Sequence, residues 1–509
     1  MKRFFLTVIC FFLLPGPFRA IGVAQSSIGP VRAYRAAHEA QIVNEFVELL
    51  SIPNIATDAV NIERNASRLI EMMTRRGIQA TRLPGENSPP AVFGELKTPG
   101  ATHTIGFYAH YDGQPVDSSK WLTEPFKPTL RDKPAELGGQ VIPFPKAGDK
   151  FDPEWRLYAR SASDDKAPII AMLAAIDALK ASNTRLSVNL KFLFDGEEEA
   201  GSPHLGEIVS RNADLLSADV WICADGPVHQ SRSQQLYFGV RGIVKVDLIV
   251  YGANRALHSG HYGNWSPNPA MRLAKLLASM KDDNGRVLID GFYDGVVPLG
   301  DDEKRALREM PATDAELMRE YGLAGTDSSG RTLADLINEP SLNIDGLRSE
   351  EVGRQSRTII PAEATATIDL RLVKGIEPRQ QVDRLIAHIK KQGYFIVTKD
   401  PSPEERLKYS LIARVVTEEG YPAVRTSMSL PIVKKVISAV EQAIGKKPVM
   451  LPTMGGSGPL WAIDVATKAP QVGVPIVNHD NNQHSSNENL RIQNLWDGIE
   501  IFAALMSMN

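Results

Sequence analysis

The apolar residues of the chain keep helical spacing at first and strand spacing further on. Val43, Phe46, Val47 and Leu50 within 31–50, and Ile62, Leu69, Ile70 and Met73 within 61–76, recur every three to four residues and predict two helices. Three short apolar runs follow, THTIGFYAHYD, VNLKFLFDGEEE and ADVWICADG, each of strand length and each bounded by Gly or Asp. Between the first two, DDKAPIIAMLAAIDALKAS sets Ile169, Ile170, Met172, Leu173, Ile176 and Leu179 on one helical face, and Pro168 suits a helix's first turn. Strands alternating with helices argue for an α/β fold, a mostly parallel sheet with helices on its faces.

From Gln235 the pattern changes. QLYFGVRGIVKVDLIVYG and ATATIDLRLV read as strands, NPAMRLAKLLASM and PRQQVDRLIAHIKKQG as helices, the last ending before YFIVTKD. Two strand-and-helix pairs predict a smaller α+β unit of split βαβ, ferredoxin-like type. Past about Thr426 the helical pattern of the first part resumes in LPIVKKVISAVEQAIG and NLWDGIEIFAALMSM. The expected organisation is a catalytic domain over 25–235 and 426–509 with a smaller domain, 236–425, inserted into it. The polar segment 301–343 is expected as helix and loop inside the insertion.

The chemistry is carried by the places where the apolar runs end. The first ends in His110 and Asp112, the second in Glu198 and Glu199, the third in Asp225. In an open α/β sheet ligands bind beyond the carboxyl ends of the strands, so these runs deliver a histidine and several carboxylates to one crevice. Glu197, Glu198 and Glu199 stand side by side, an arrangement tolerated where solvent screens the charges or a cation sits among them. Imidazole with carboxylate suits Zn²⁺ ahead of Mn²⁺ or Co²⁺.

Composition narrows the partners. The chain has 509 residues, 43% hydrophobic and 23% charged, enough for a sizeable core and more than one domain. A net charge of -3 without a long Lys or Arg run gives no electrostatic footprint for nucleic acid or an anionic membrane, so a small substrate is expected. At the start, Lys2 and Arg3 precede an apolar run over 4–14 and small residues around Gly22 and Ala24. That run is shorter than the ~20 residues of a membrane-spanning helix and reads as a cleavable signal, 1–24, rather than a membrane anchor. Cleavage near Ala24 would remove Cys10, leaving Cys223 as the single cysteine of an exported, periplasmic chain without an intrachain disulfide.

Eight pieces in order, HYDGQPVDSSKW, ARSASDDKAP, GEEEAGS, CADGP, GVRG with ALHSGHYG, IIPAEATATIDLRLV, MGGSGPL and NNQHSSNENL, resemble a known family across nearly the whole mature chain. It is the family of zinc-dependent exopeptidases and deacylases that includes carnosinase, nonspecific dipeptidase, carboxypeptidase G, acetylornithine deacetylase and aminoacylase. The wording of HYDGQP and of GVRG with LHSG is most similar to the carnosinase and dipeptidase branch. The resemblance implies two Zn²⁺ per subunit. His110 and Asp225 hold one, Glu199 and His484 the other, and Asp164 bridges both, with His479 the rival of His484. Asp112 orients the His110 imidazole, a carboxylate that fixes the tautomer. Glu198 is the general base, Glu197 lies outside the ligand set, and the Asp164–Asp165 peptide is cis. The inserted domain serves as lid and dimerisation element, and His258 acts in trans across a homodimer on the substrate carbonyl oxygen. Arg371 holds the substrate carboxylate beside a loop of Gly455, Gly456 and Ser457.

The reaction so implied is hydrolysis of a dipeptide or short peptide by water activated at the metal pair, with Glu198 moving the proton. In such relatives aspartate at the position of Asp225 accompanies aminopeptidases and dipeptidases, whereas glutamate accompanies carboxypeptidases and deacylases. Two alternatives stand beside this reading: an N-acyl amino acid deacylase or carboxypeptidase on the same metals, and a catalytically silent binding protein. Loss of Glu198 or of a ligand would mark the silent protein, and none is missing. Two departures bear on the substrate. Ala159, Ser161 and Ala167 stand where relatives commonly carry glycine, and an extra segment between Asp132 and Leu157 is expected at the rim of the cleft.

Overall fold

The computed structural model describes residues 28–328 and 330–508. The expected signal peptide and Cys10 lie outside the described residues. The two predicted N-terminal helices are Ile28–Leu50 and Ala59–Arg75. The three apolar runs are strands Thr104–His110, Asn189–Asp195 and Val220–Cys223, adjacent and parallel. They form the centre of an eight-stranded sheet. Beyond Asn189–Asp195 it continues antiparallel through Ala91–Leu96 to Gln79–Leu83; beyond Val220–Cys223 come Gln471–Gly473, Gln235–Tyr237 and Val449–Leu451. The helix Lys166–Ala181 is buried almost throughout, which its run of Ile, Met, Leu and Ala requires. It packs between Ile28–Leu50 and the C-terminal helix Ile492–Met506 in the main core, with Leu173 and Phe502 fully enclosed.

The second sheet has its own core. Its order is Ser341–Arg348, Glu363–Leu372, Gly239–Tyr251, Ile412–Thr417, Phe395–Val397, antiparallel but for the last pair. Along Gly239–Tyr251, Val244, Val246, Leu248 and Val250 face inward while Lys245 and Asp247 face out, the period-two alternation of a half-covered sheet. Helices Pro269–Ala278 and Pro378–Lys391 supply the covering Leu273, Leu276, Leu385 and Ile389. The first four strands with two helices on one face make the ferredoxin-like pattern.

Gly239–Tyr251 also joins the two bodies. Gly239 and Val240 pair with Val424–Arg425, and Val240 and Arg241 with Met454–Ser457, before Gly242 enters the second sheet. The expected single strand from 235 is broken at Phe238, and Gln235–Tyr237 belongs to the large sheet. The helix Asp301–Glu309, expected within the insertion, packs instead against Val449–Leu451 of the large sheet, with Ala306 in the main core. The extra segment ahead of Leu157 contributes to a four-stranded sheet, ordered Asn489–Arg491, Arg156–Tyr158, Thr129–Arg131, Val141–Ile142.

Candidate metal centre

Register brings the acidic ends together. His110 pairs with Asp195 and Tyr108 with Cys223, so His110, the turn Glu197–Glu199 and Asp225 leave the sheet along one edge. Asp164 and Asp165, joined by a cis peptide, precede the helix Lys166–Ala181 at that edge, where the helix N-terminus favours negative charge. His484 comes from a loop more than 250 residues beyond Asp225 in sequence, and lies near the same point.

The ligand atoms fall into two triads that share one residue. Potential donor atoms of His110, Asp164 and Asp225 lie within 4.8 Å of one another, and so do those of Asp164, Glu199 and His484. His110 Nε2 is 2.8 Å from Asp164 Oδ1, and His484 Nε2 is 3.2 Å from both Asp164 Oδ2 and Glu199 Oε2. Each triad is a set that could hold one divalent cation. Glu198 Oε2 stands 4.0 Å from His110 Nε2, beside the first triad without belonging to it. His479 is exposed elsewhere on its loop.

Charge tests the fit. Asp112, Asp164, Glu198, Glu199 and Asp225 converge with two imidazoles, and protons on the imidazoles stand in for cationic charge. His110 is drawn well above its ordinary value because Asp112 and Asp164 outweigh the burial that opposes its protonation. Contacts with Asp164 and Glu199 raise His484 to about 10. Asp164 lies well below the carboxylate range, the two histidines overcoming its burial. Burial pushes Asp112 and Asp225 up to about 6, and Glu198 well up as well. Glu199 Oε1 is buried without a hydrogen-bond partner, a lone pair that a cation would use. Five carboxylates cannot all remain ionised together in a buried crevice without added positive charge. The donor set therefore fits divalent cations.

Around the triads each side chain has its own partners. Asp112 is fully buried 3.3 Å from His110 Nδ1, and its oxygens accept the amides of Glu198 and Glu199, both at 3.0 Å. It ties the histidine strand to the acidic turn. Glu197 points away: its carboxylate accepts the His204 amide at 2.8 Å and meets His204 Nδ1 at 3.0 Å. Ser161, standing where relatives commonly have glycine, takes a left-handed φ of 61°, and Gly113 leaves room for its hydroxyl, which a Cβ there would approach to 2.4 Å.

Arg371 and the glycine loop do meet, Arg371 Nη1 donating to Ser457 Oγ at 2.9 Å. Gly455 and Gly456 lie on the same short strand, Met454–Ser457. His258 is exposed in the insertion, its ring centroid 4.5 Å from that of His261, and has no hydrogen bond or ion pair to the triads among the described residues. Sequence reasoning missed three residues. Gln114 donates to Glu199 Oε2 at 2.7 Å. Tyr421 is raised to about 12 by burial and the Glu198 carboxylate, against Arg371 and Ser457. Glu488, fully buried, accepts the Asp164 amide at 2.8 Å. Only the position of Glu488 four residues after His484 hinted at a role.

Residues 106–508 match the model of peptidase family M20/M25/M40. The chain is 27% identical over 437 residues to the Beta-Ala-His dipeptidase of Mus musculus, covering 82% of this chain and 79% of that one. It is 31% identical over 314 residues to the Cys-Gly metallodipeptidase DUG1 of Candida albicans, 59% of each chain. Its fold aligns with an M20 family metallo-carboxypeptidase, Sso-CP2 from Sulfolobus solfataricus, at a TM-score of 0.76 and 27% identity, over 92% of this chain and 99% of that one. With a metal-ligand set at the carboxyl edge of its large sheet and a family match over most of its length, the chain belongs to peptidase family M20/M25/M40 and is a hydrolase of the metallopeptidase class.

Proposed function

We propose that the chain is a di-zinc dipeptidase that hydrolyses the amide bond of dipeptides or short peptides. The observation that carries the reading is Asp164, shared by two ligand triads with Glu198 alongside. Bound Zn²⁺ at these triads would supply Lewis acidity and lower the pKa of water. His110, Asp164 and Asp225 would hold one ion, and Asp164, Glu199 and His484 the other. Glu198, a half-buried carboxylate with a raised pKa, accepts a proton from the attacking water and returns it to the leaving amine nitrogen. Asp112 holds the amides of that turn, and so the Glu198 side chain, in place.

Arg371 receives the substrate's carboxylate as a guanidinium fork, with Ser457 and the backbone of Gly455 and Gly456 beside it. His258 is a donor to the substrate carbonyl oxygen from the second subunit of a homodimer; its exposure, and the absence among the described residues of any hydrogen bond or ion pair from it to the triads, suit a residue that works in trans. Aspartate at 225 and two relatives named as dipeptidases favour dipeptides over acylated amino acids. We assign the chain to the periplasm after cleavage near Ala24. The test is a panel of dipeptides and N-acyl amino acids offered to protein stripped by chelator and reloaded with Zn²⁺. Zinc-dependent dipeptide cleavage is expected; exclusive cleavage of acylated amino acids would replace the dipeptidase with a deacylase.

A further inference from the structure

The loop that presents Asp164 and the loop that presents His484 are joined through one carboxylate. Glu488 Oε1 accepts the amides of Ser163 and Asp164, each at 2.8 Å, and Oε2 accepts Arg160 Nη1 at 2.8 Å and the Ser161 amide at 2.9 Å. Arg160 in turn donates to the Ser485 carbonyl at 3.1 Å, and Ser163 Oγ donates to the Asn489 carbonyl at 2.7 Å. The side chains of Glu488 and Arg160 are 0% and 2% exposed. Both loops need holding: Ser161 on one side, and Asn482, His484 and Asn487 on the other, have left-handed backbones that L-residues seldom adopt. Groups outside the Asp164 loop hold it, and the Glu488 side chain accepts three of its backbone amides, those of Ser161, Ser163 and Asp164.

We propose that Glu488 is a positioning residue that sets the spacing between Asp164 and His484, and thereby the capacity of the shared-carboxylate site for its metals. The proposal rests on the metallopeptidase reading above. Ionic neutralisation of Arg160 alone would need one acceptor; three of the four donors on Glu488 are backbone amides of the loop that carries Asp164. In E488Q one oxygen becomes an amide nitrogen, so whichever way the group turns, two donors face N–H bonds instead of an acceptor.

The test uses the full chain, stripped by chelator and titrated with Zn²⁺ against a competing metal-binding dye, with the visible spectrum of Co²⁺-loaded protein recorded in parallel. E488Q is expected to bind Zn²⁺ about 10- to 100-fold more weakly. Its Co²⁺ bands are expected to shift, and kcat to fall with KM unchanged and recover toward wild type in excess Zn²⁺. E500Q, which removes a buried partner of Arg32 that touches no ligand, controls for general destabilisation and is expected to keep wild-type zinc affinity. Wild-type zinc affinity and Co²⁺ bands in E488Q would overturn the proposal, and so would an equal zinc loss in E500Q. If E488Q does not fold, R160M, which withdraws the Arg160 contacts to Glu488 and Ser485, is expected to weaken Zn²⁺ binding in the same way, and wild-type affinity there overturns the clamp. A wild-type chain that takes up no Zn²⁺ overturns both the clamp and the metal reading beneath it.

Discussion

Glu198 and Glu199 are neighbours in sequence with different surroundings, and the roles proposed for them differ accordingly. Glu199 reaches His484 and is held by Gln114, whereas Glu198 stops 4.0 Å short of His110. Glu198→Gln is therefore expected to lower kcat by about 10²- to 10⁴-fold while the bound metal content stays the same. Turnover near wild type in that variant would remove Glu198 from proton transfer. Arg371→Lys keeps a charge but loses the planar fork. Its expected effect is a KM raised about tenfold, the loss of one charged hydrogen bond, with a smaller change in kcat. Steady-state kinetics on a dipeptide separate the two. The candidate ligands were legible because they end apolar runs or sit in distinctive short motifs. Glu488 and Tyr421 were not, because their roles come from partners distant along the chain: the Asp164 amide for one, Glu198 and Ser457 for the other.

At the scale of elements, the rim sheet explains how an exposed loop holds the candidate ligand His484 in place. Arg156, on the strand that pairs with Asn489–Arg491, donates to both oxygens of Asp480 and to Asn489, and Asn482 reaches Glu136 of the extra segment. Burial acts against the Asp480 charge, but Arg156 overrides it and holds the carboxyl well below its usual range. A group whose folded pKa is depressed stabilises the fold above its unfolded value and loses that contribution as pH falls toward the folded one. Asp480→Asn should thus lower the melting temperature fully at pH 7, with the gap to wild type narrowing below the ordinary aspartate value of 3.8. A gap that is constant with pH would show that the Asp480 charge is not what braces the loop. The central strands were legible as unbroken apolar runs. Gln79–Leu83 and Ser341–Arg348 were not, since each lies at a sheet edge with most side chains exposed and lacks the contrast that marks a buried strand.

The whole molecule sets the second body beside the first through one long strand, Gly239–Tyr251, which shares its start with the glycine loop and its remainder with the Arg371 strand. The proposed substrate end of the site therefore draws on both bodies. His258 remains exposed on the second body, and the proposed dimer predicts complementation. Mixing H258A with E198Q, each strongly impaired alone, should raise activity above either through mixed dimers in which one site keeps an intact Glu198 and receives an intact His258. Activity that stays at the level of the separate variants would contradict action in trans. The helix Asp301–Glu309 was expected inside the insertion and lies on the large sheet, because its polar surface gives no sign of which body its few apolar residues cover; Ala306 in the main core fixes it there.

The central claim is that Asp164 is common to two cation sites. Crystals of Zn²⁺-loaded protein measured on both sides of the zinc absorption edge test it directly. Two anomalous peaks are expected, one within reach of His110, Asp164 and Asp225, the other within reach of Asp164, Glu199 and His484. A single peak, or peaks that leave Asp164 without contact to either ion, would contradict the account.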